Sequence, residues 1–561
     1  MDSLASVIKP IHEENLVETF ITPLVGVLKE YNARGLSHRC IRPDNLFFAD
    51  KERTHIPLGE GFMTPPGYVQ DVMFETIENG MCLPLGRSTG SVYEDFYALG
   101  VTLLFLVSGR APAVGTDNDT LIVNKIEQSS YAALARRERV PKSVKEFLRG
   151  VIADDLADSW SLEDIAFWLD GRRVSPQQPE VPPRANRPIR VAGRDYFTGR
   201  SLAHGLFRNW DTAPQVIQET DLETWAQRTV GDDALATGIS TVMARAAMAE
   251  GDEASEMMIS WLCMVMDPKG PVRYRTFSAM LDGFGRYMMQ AYKDEDEAKL
   301  FTEVVFSELP VMWIHNLFGD DTEGAPFLRG IERLRYLLQQ TTYGFGFERC
   351  LYELNPSMPC GSPLIAEFYV EEPNDLLPAL EKVPPELQEK TLPMDRHIAA
   401  FIAGRFKHDT DSMLKDLSNR GDPNMVVLAT LRMFAVMQWK MGPNKLPVVS
   451  QWIGRFLGPI MNNYHNLKTR EMIQEFLPQM IKKGSLVEML NLLDDPARRQ
   501  GDINGYWRAV DEYAAAKVEI EMLTTEMETQ GPRTILAGHR ISSMVAFFIA
   551  VLIIATMAVT L

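Results

Sequence analysis

Ser37-His38-Arg39-Cys40-Ile41-Arg42-Pro43-Asp44-Asn45-Leu46-Phe47-Phe48 is the stretch on which the reading of this chain turns. It packs an imidazole, two guanidinium groups, a thiol and an amide into one short segment between regular elements. Upstream, Glu14 to Arg34 carries Leu16, Val17, Phe20, Ile21, Leu24, Val25, Leu28 and Tyr31 at helical spacing. Pro23 is expected to kink that helix, and Gly35 to end it. Downstream, Asn45 to Phe48 reads as a short strand and Lys51 to Arg53 as a turn. A second strand ends in Leu58-Gly59-Glu60-Gly61-Phe62. Cys40 stands near His38, but no third group orients the pair, so a buried thiol is favoured over a nucleophile.

The totals bound the class. A chain of 561 residues predicts more than one domain. A net charge of -18 argues against nucleic-acid binding, which rests on Lys and Arg neutralising phosphates. Cys40, Cys82, Cys263, Cys350 and Cys360 are scattered and odd in number, which predicts free thiols in a reducing compartment. Cys350 and Cys360 lack the second pair that a zinc site needs.

Further along, Glu94-Asp95-Phe96-Tyr97-Ala98-Leu99-Gly100 opens an apolar run, V-T-L-L-F-L-V-S-G-R-A-P, expected to be a helix buried on every face. Closing helices are predicted at Val144 to Ile152 and Leu162 to Leu169. Taken in order, these features resemble the C-lobe of eukaryotic-type Ser/Thr protein kinases. Residues 38–45 stand where that family has H-R-D-x-K-P-x-N, and residues 95–100 where it has D-x-x-x-x-G. The resemblance implies that Asp95 hydrogen-bonds the backbone of the 38–45 loop, and that Gly100 is structural too.

The same resemblance implies that the chemistry is gone. Cys40 occupies the position of the catalytic Asp and Arg42 that of the following Lys, while Arg39, Pro43 and Asn45 match. A thiol, with an ordinary pKa of about 8.5, is a poor substitute for an ionised base. Glu60 is the nearest counterpart of the metal-binding Asp of D-F-G. Glu75 approximates the Glu of the A-P-E motif, and Ser159 stands where its Arg partner belongs, so that ion pair is expected to be lost. No G-x-G-x-x-G and no V-A-I-K Lys precede the loop, so the resemblance covers the C-lobe without the N-lobe that grips ATP.

Residues 1–171 are thus read as a kinase C-lobe-like, pseudokinase domain. Residues 172–200 form a Pro/Arg-rich linker with Pro176, Pro179, Pro182, Pro183 and Pro188, and Ile189 to Val191 as a strand. Residues 201–530 read as an α-helical array, with a solenoid-like stack as its candidate form. Its helices are expected at Met257–Met266, Arg275–Tyr292, Glu303–Leu317, Leu328–Leu338, Ile398–Phe406, Met425–Trp439, Val448–Met461 and Met472–Ile481. Met280, Met288, Met289, Met433 and Met437 are assigned to core filling. Ile503 to Met527 is a stalk or a short dimer seam, divided by Gly531-Pro532 from Ile541–Leu561. That last stretch holds no charge and, as a helix, spans about 30 Å, the thickness of a bilayer core. Arg533, His539 and Arg540 precede it, so a transmembrane tail anchor with the bulk of the chain in the cytoplasm is expected.

The expected fold is therefore mainly α. The expected function is a membrane-anchored scaffold or signalling protein that binds protein partners without phosphoryl transfer, with no cofactor. The alternative is an atypical kinase or ATP-binding switch, with Arg42, Asn45 and Glu60 holding ATP and Mg²⁺.

Overall fold

Apolar residues at helical spacing dominate the chain, and the fold follows them: 68% of it is helix and 3% strand. The computed structural model describes residues 2–6, 16–50, 55–61, 63–135, 138–177, 182–248, 252–319, 322–388, 391–406, 410–419 and 421–560. Glu14, the Lys51–Arg53 turn, Phe62, Pro179 and Leu561 lie outside these residues.

The chain divides into two compact units, Met1–Thr341 with Phe345–Met358, and Thr342–Gly344 with Pro359–Leu561. The segment 172–200 lies within the first unit. Its second half is a hairpin of β3 (Ile189–Val191) and β4 (Arg194–Tyr196), with Val191 fully buried. The Phe197 N–H and the Ser201 hydroxyl both donate to Glu127, at 3.0 and 2.9 Å, which fastens the hairpin to what precedes it.

In the first unit, a π-helical turn at Val17–Ile21 leads into α1 (Thr22–Ala33). Pro23 sits in the first turn of α1, and the helical chain runs into it through the π-helical turn, where the hydrogen-bond pattern shifts next to the proline. A small antiparallel sheet joins β1 (Asp2–Ser3) to β2 (Phe47–Phe48). The second strand expected near Leu58 is a single bridge to Leu46. Next come α2 (Ile77–Met81) and the central helix α3 (Val92–Ser108). Ser91 and Glu94 form a capping box at the start of α3, and left-handed Gly109 ends it. Phe96, Leu99, Val101, Leu103, Leu104 and Leu106 are all fully buried, so α3 is the axis of the core. The helices α4 (Asn118–Gln128), α5 (Lys142–Val151) and α6 (Leu162–Leu169) surround it.

After the hairpin, α7 (Gly199–Arg208), α8 (Asp233–Met248) and α9 (Asp252–Met266) build a second apolar core in the same unit. The helix expected over Arg275–Tyr292 is instead a hairpin of β5 (Val272–Tyr274) and β6 (Phe277–Ala279), followed by a helix over Phe284–Ala291. Aromatic and β-branched residues favour that strand pair, and Arg275 makes its turn at φ 52. Glu303–Leu317 is likewise two helices, Glu295–Phe306 and Leu309–Phe318, with Pro310 in the first turn of the second.

The second unit is helical: α10 (Arg396–Arg405), α11 (Pro423–Met441), α12 (Leu467–Lys483), α13 (Leu486–Leu493) and α14 (Pro496–Thr560) are its main elements. The stretch Val448–Met461 is split into Pro447–Gly454 and Gly458–Met461. Met288, Met433 and Met437 are fully buried, as core fillers should be. The break expected at Gly531-Pro532 does not occur, because α14 runs through Pro532. Residues around Pro532 are exposed, so water can satisfy the carbonyl that the ring leaves without a donor. The C-terminal part of α14 is long and apolar enough to cross a membrane.

Candidate functional site

The 38–45 loop leaves α1 through Gly35 and is held from beneath by the start of α3. Asp95, buried in the first turn of α3, accepts the N–H of His38 through Oδ2 and that of Arg39 through Oδ1, each at 2.7 Å. This is the bond pattern the sequence implied for Asp95. Burial pushes its carboxyl up to about 7, against the pull of the two N–H bonds and of Arg39. Gly100 lies one and a half turns further along α3, where the helix meets Val151 and Ile152. A Cβ there would come within 2.7 Å of Val151 Cγ2, so only glycine permits that approach to α5.

Arg39 takes φ 53, unusual for a residue with a side chain, and both ends of it are tied down. Its backbone N–H is on Asp95, and its Nη2 donates to Glu75 Oε2 at 2.8 Å, with both side chains fully buried. Arg87 approaches the other oxygen of Glu75 at 3.7 Å, and its Nη1 also donates to the carbonyls of Gly67 and Gln70. Glu75 thus has an ion pair after all, made with Arg39 and Arg87 instead of a residue at position 159. Burial works against the Arg39 charge, but Glu75, Glu94 and Asp95 outweigh it and raise its pKa. Arg87, by contrast, is lowered by burial despite Glu75.

Lys125 of α4 completes the cluster. It is buried, and its Nζ donates to the carbonyls of Val72, Met73 and Glu75 at 2.9, 3.2 and 2.8 Å. Burial pushes its pKa down to about 7. Neither Arg87 nor Lys125 was singled out from the sequence. Each reaches the site across tens of residues, and neither lies in a motif.

The remaining candidates are arranged as ties. Cys40 is 3% exposed, and Arg42 Nη1 lies 3.0 Å from its sulfur. Burial raises the Cys40 thiol pKa, although Arg42 pulls it down, so the group is protonated at neutral pH. Arg42 also bonds Asp44 at 2.7 Å and the Val69 carbonyl at 3.2 Å. The Asn45 side chain donates to the carbonyls of Cys40 and Glu60 at 2.8 and 2.6 Å. Glu60 is therefore near Asn45 through its backbone, while the residue itself is exposed. The His38 ring is buried beside the Gly59 carbonyl at 3.4 Å and edge-on to Tyr31, and burial lowers its pKa. Among the described residues no group of three or more His, Cys, Asp or Glu side chains could hold a metal ion.

Residues 78–89, which follow this cluster, are covered by the β5–β6 hairpin and its neighbours. Leu83 N–H donates to the Ser278 carbonyl and Met280 N–H to that of Gly86, at 3.0 and 2.9 Å. Thr89 N–H donates to Asp282 at 2.7 Å, and Arg286 donates to the Arg87 carbonyl at 2.6 Å. Arg200 bridges Glu78 and Asp267, and Arg273 pairs with Asp267 at 2.7 Å. The geometry can hold a loop and a following segment in one conformation. It presents no ionised base at Cys40.

No protein-family model matches the chain, and a search of curated proteins finds no match either.

Proposed function

We propose that the chain is a membrane-anchored pseudokinase, a scaffold or signalling protein that works by binding protein partners and not by phosphoryl transfer. One observation carries this reading. The loop that resembles a kinase catalytic loop keeps its supports, Asp95 and the Arg39–Glu75 pair, while the position of the catalytic base holds a buried, protonated thiol. Asn45 is a further tie of the loop, its amide donating to the backbone carbonyls of Cys40 and Glu60. A loop maintained as structure without its base suits recognition better than catalysis. The apolar end of α14 supplies the anchor, and Arg533, His539 and Arg540 before it favour a cytoplasmic bulk.

The test is the thermal stability of the full chain in detergent, with and without millimolar ATP and Mg²⁺. A ligand at 100 times its Kd stabilises by about 2.7 kcal/mol, which is readily seen. The scaffold reading expects no shift. A Mg²⁺-dependent shift that disappears in Asn45→Ala and Glu60→Ala would replace it with a nucleotide-regulated switch.

A further inference from the structure

The helix α14 begins on the body of the second unit and then leaves it. Asp502 accepts the N–H of His465 and Asn466 at 2.7 and 2.8 Å, and the Tyr506 ring stacks on His465 at 4.0 Å. From Asp511 to Thr560 every residue is exposed. The segment from there to Arg540 would extend about 45 Å as helix before the apolar span begins. Its exposed face is ordered. Ala509, Ala516 and Leu523 recur every seven residues, and Tyr513, Ile520 and Met527 recur every seven between them, so the two rows alternate at steps of four and three. Tyr513, Ile520 and Met527 are 73%, 63% and 76% exposed, far more than large apolar groups on a surface helix need be. The acidic residues Asp511, Glu512, Glu519, Glu521, Glu526 and Glu528 all fall outside these two rows.

A seven-residue repeat marks a seam between like helices, because 3.5 residues per turn keeps one stripe facing a supercoiled partner. Because α14 is unbroken, the same two rows continue past Gln530, Thr534 and Ala537 to Ile541, Met544, Phe548 and Val551. An anchor of this kind would also hold two copies in the same orientation. We infer that α14 pairs with α14 of a second copy of this chain as a parallel, in-register two-stranded coiled coil. The shared orientation rests on the anchor proposed above; the seam itself rests on the stalk.

The experiment uses the full chain in membranes. The native cysteines are all buried, so an added one reports alone. Tyr513→Cys, Ile520→Cys and Met527→Cys are oxidised beside Glu512→Cys, Glu519→Cys and Glu526→Cys, with Met522→Cys to probe the apolar residues off the seam. The seam predicts at least a tenfold greater yield of disulfide dimer at 513, 520 and 527, and loss of the Tyr513→Cys dimer when Ile520→Glu is added. Symmetric bonds at 513, 520 and 527 alike require parallel, in-register strands. Equal yields at all positions, a maximum at Met522→Cys, or no dimer overturns the inference. An alkaline carbonate wash of the same membranes separates the two readings. Chain retained without seam-specific dimers sinks the coiled coil alone; seam-specific dimers in chain that washes off sink the anchor alone.

Discussion

Replacing Asp95 by Asn keeps the shape of the side chain and removes one of its two acceptors. In the native protein each carboxylate oxygen receives one backbone N–H at 2.7 Å in a fully buried setting. An Asn can turn its oxygen to only one of them, and its NH₂ then faces the other N–H. Stranding that buried donor costs about 1–3 kcal/mol, and the surviving bond loses the charge assistance worth about 1 kcal/mol. The sum is about 2–4 kcal/mol. At about 2–4 °C per kcal/mol for a domain of a few hundred residues, the melting transition of the first unit should fall by roughly 5–15 °C. The measurement belongs at pH 8, where both oxygens of the ionised carboxyl accept; because burial raises its pKa to about 7, ionising it there carries a desolvation penalty that Asn lacks, so the fall in melting temperature is an upper bound and the local readout decides. Hydrogen exchange supplies the local readout, because the amides of His38 and Arg39 should lose protection while those in the middle of α3 keep theirs. A transition within about 1 °C of the native one, with the loop amides still protected, would refute the view that Asp95 holds the loop.

Gly283→Ala should destabilise the first unit, because its Cβ would lie 2.2 Å from the Gly86 carbonyl oxygen, a backbone atom with little freedom to move; thermal melting checks this, and an unchanged melt would count against the close packing of 278–286 on 83–89. All five thiols should resist alkylation by iodoacetamide at neutral pH until the chain is denatured, since each is buried, and mass spectrometry of the labelled chain would show any exception. For Lys125, burial lowers the folded pKa to about 7 from an ordinary 10.5, so between those values the unfolded chain binds a proton that the fold does not. Its contribution to stability therefore rises with pH across that window. Lys125→Met should lose this rise, and should also leave the carbonyls of Val72, Met73 and Glu75 without their donor, as denaturant titrations at pH 7 and pH 9.5 would show.

Local patterns carried much of this architecture. A continuous apolar run predicted α3 as a helix buried all round, because such a run has no face to offer to water. Helical spacing placed α5, α6 and α11 to within a few residues, and the uncharged stretch after Arg540 marked the membrane-compatible end of α14. The misplaced elements are those decided by competition. At Val272–Ala279 strand preference and a left-handed turn won over an apolar spacing that also fits a helix, and at Pro532 solvent access let a helix continue where local chemistry argued for a stop.

The candidate site divides in the same way. The bond from Asp95 to the loop backbone was expected from the resemblance alone. The thiol at position 40 was legible directly, since residue identity needs no fold. That Asn45 donates its amide to two carbonyls, and that Glu75 is neutralised by Arg39 and Arg87, were matters for the tertiary structure. Burial and ion pairing depend on groups that chain folding brings together from distant positions, and no spacing rule in the sequence encodes Arg87 or Lys125 as neighbours of Glu75.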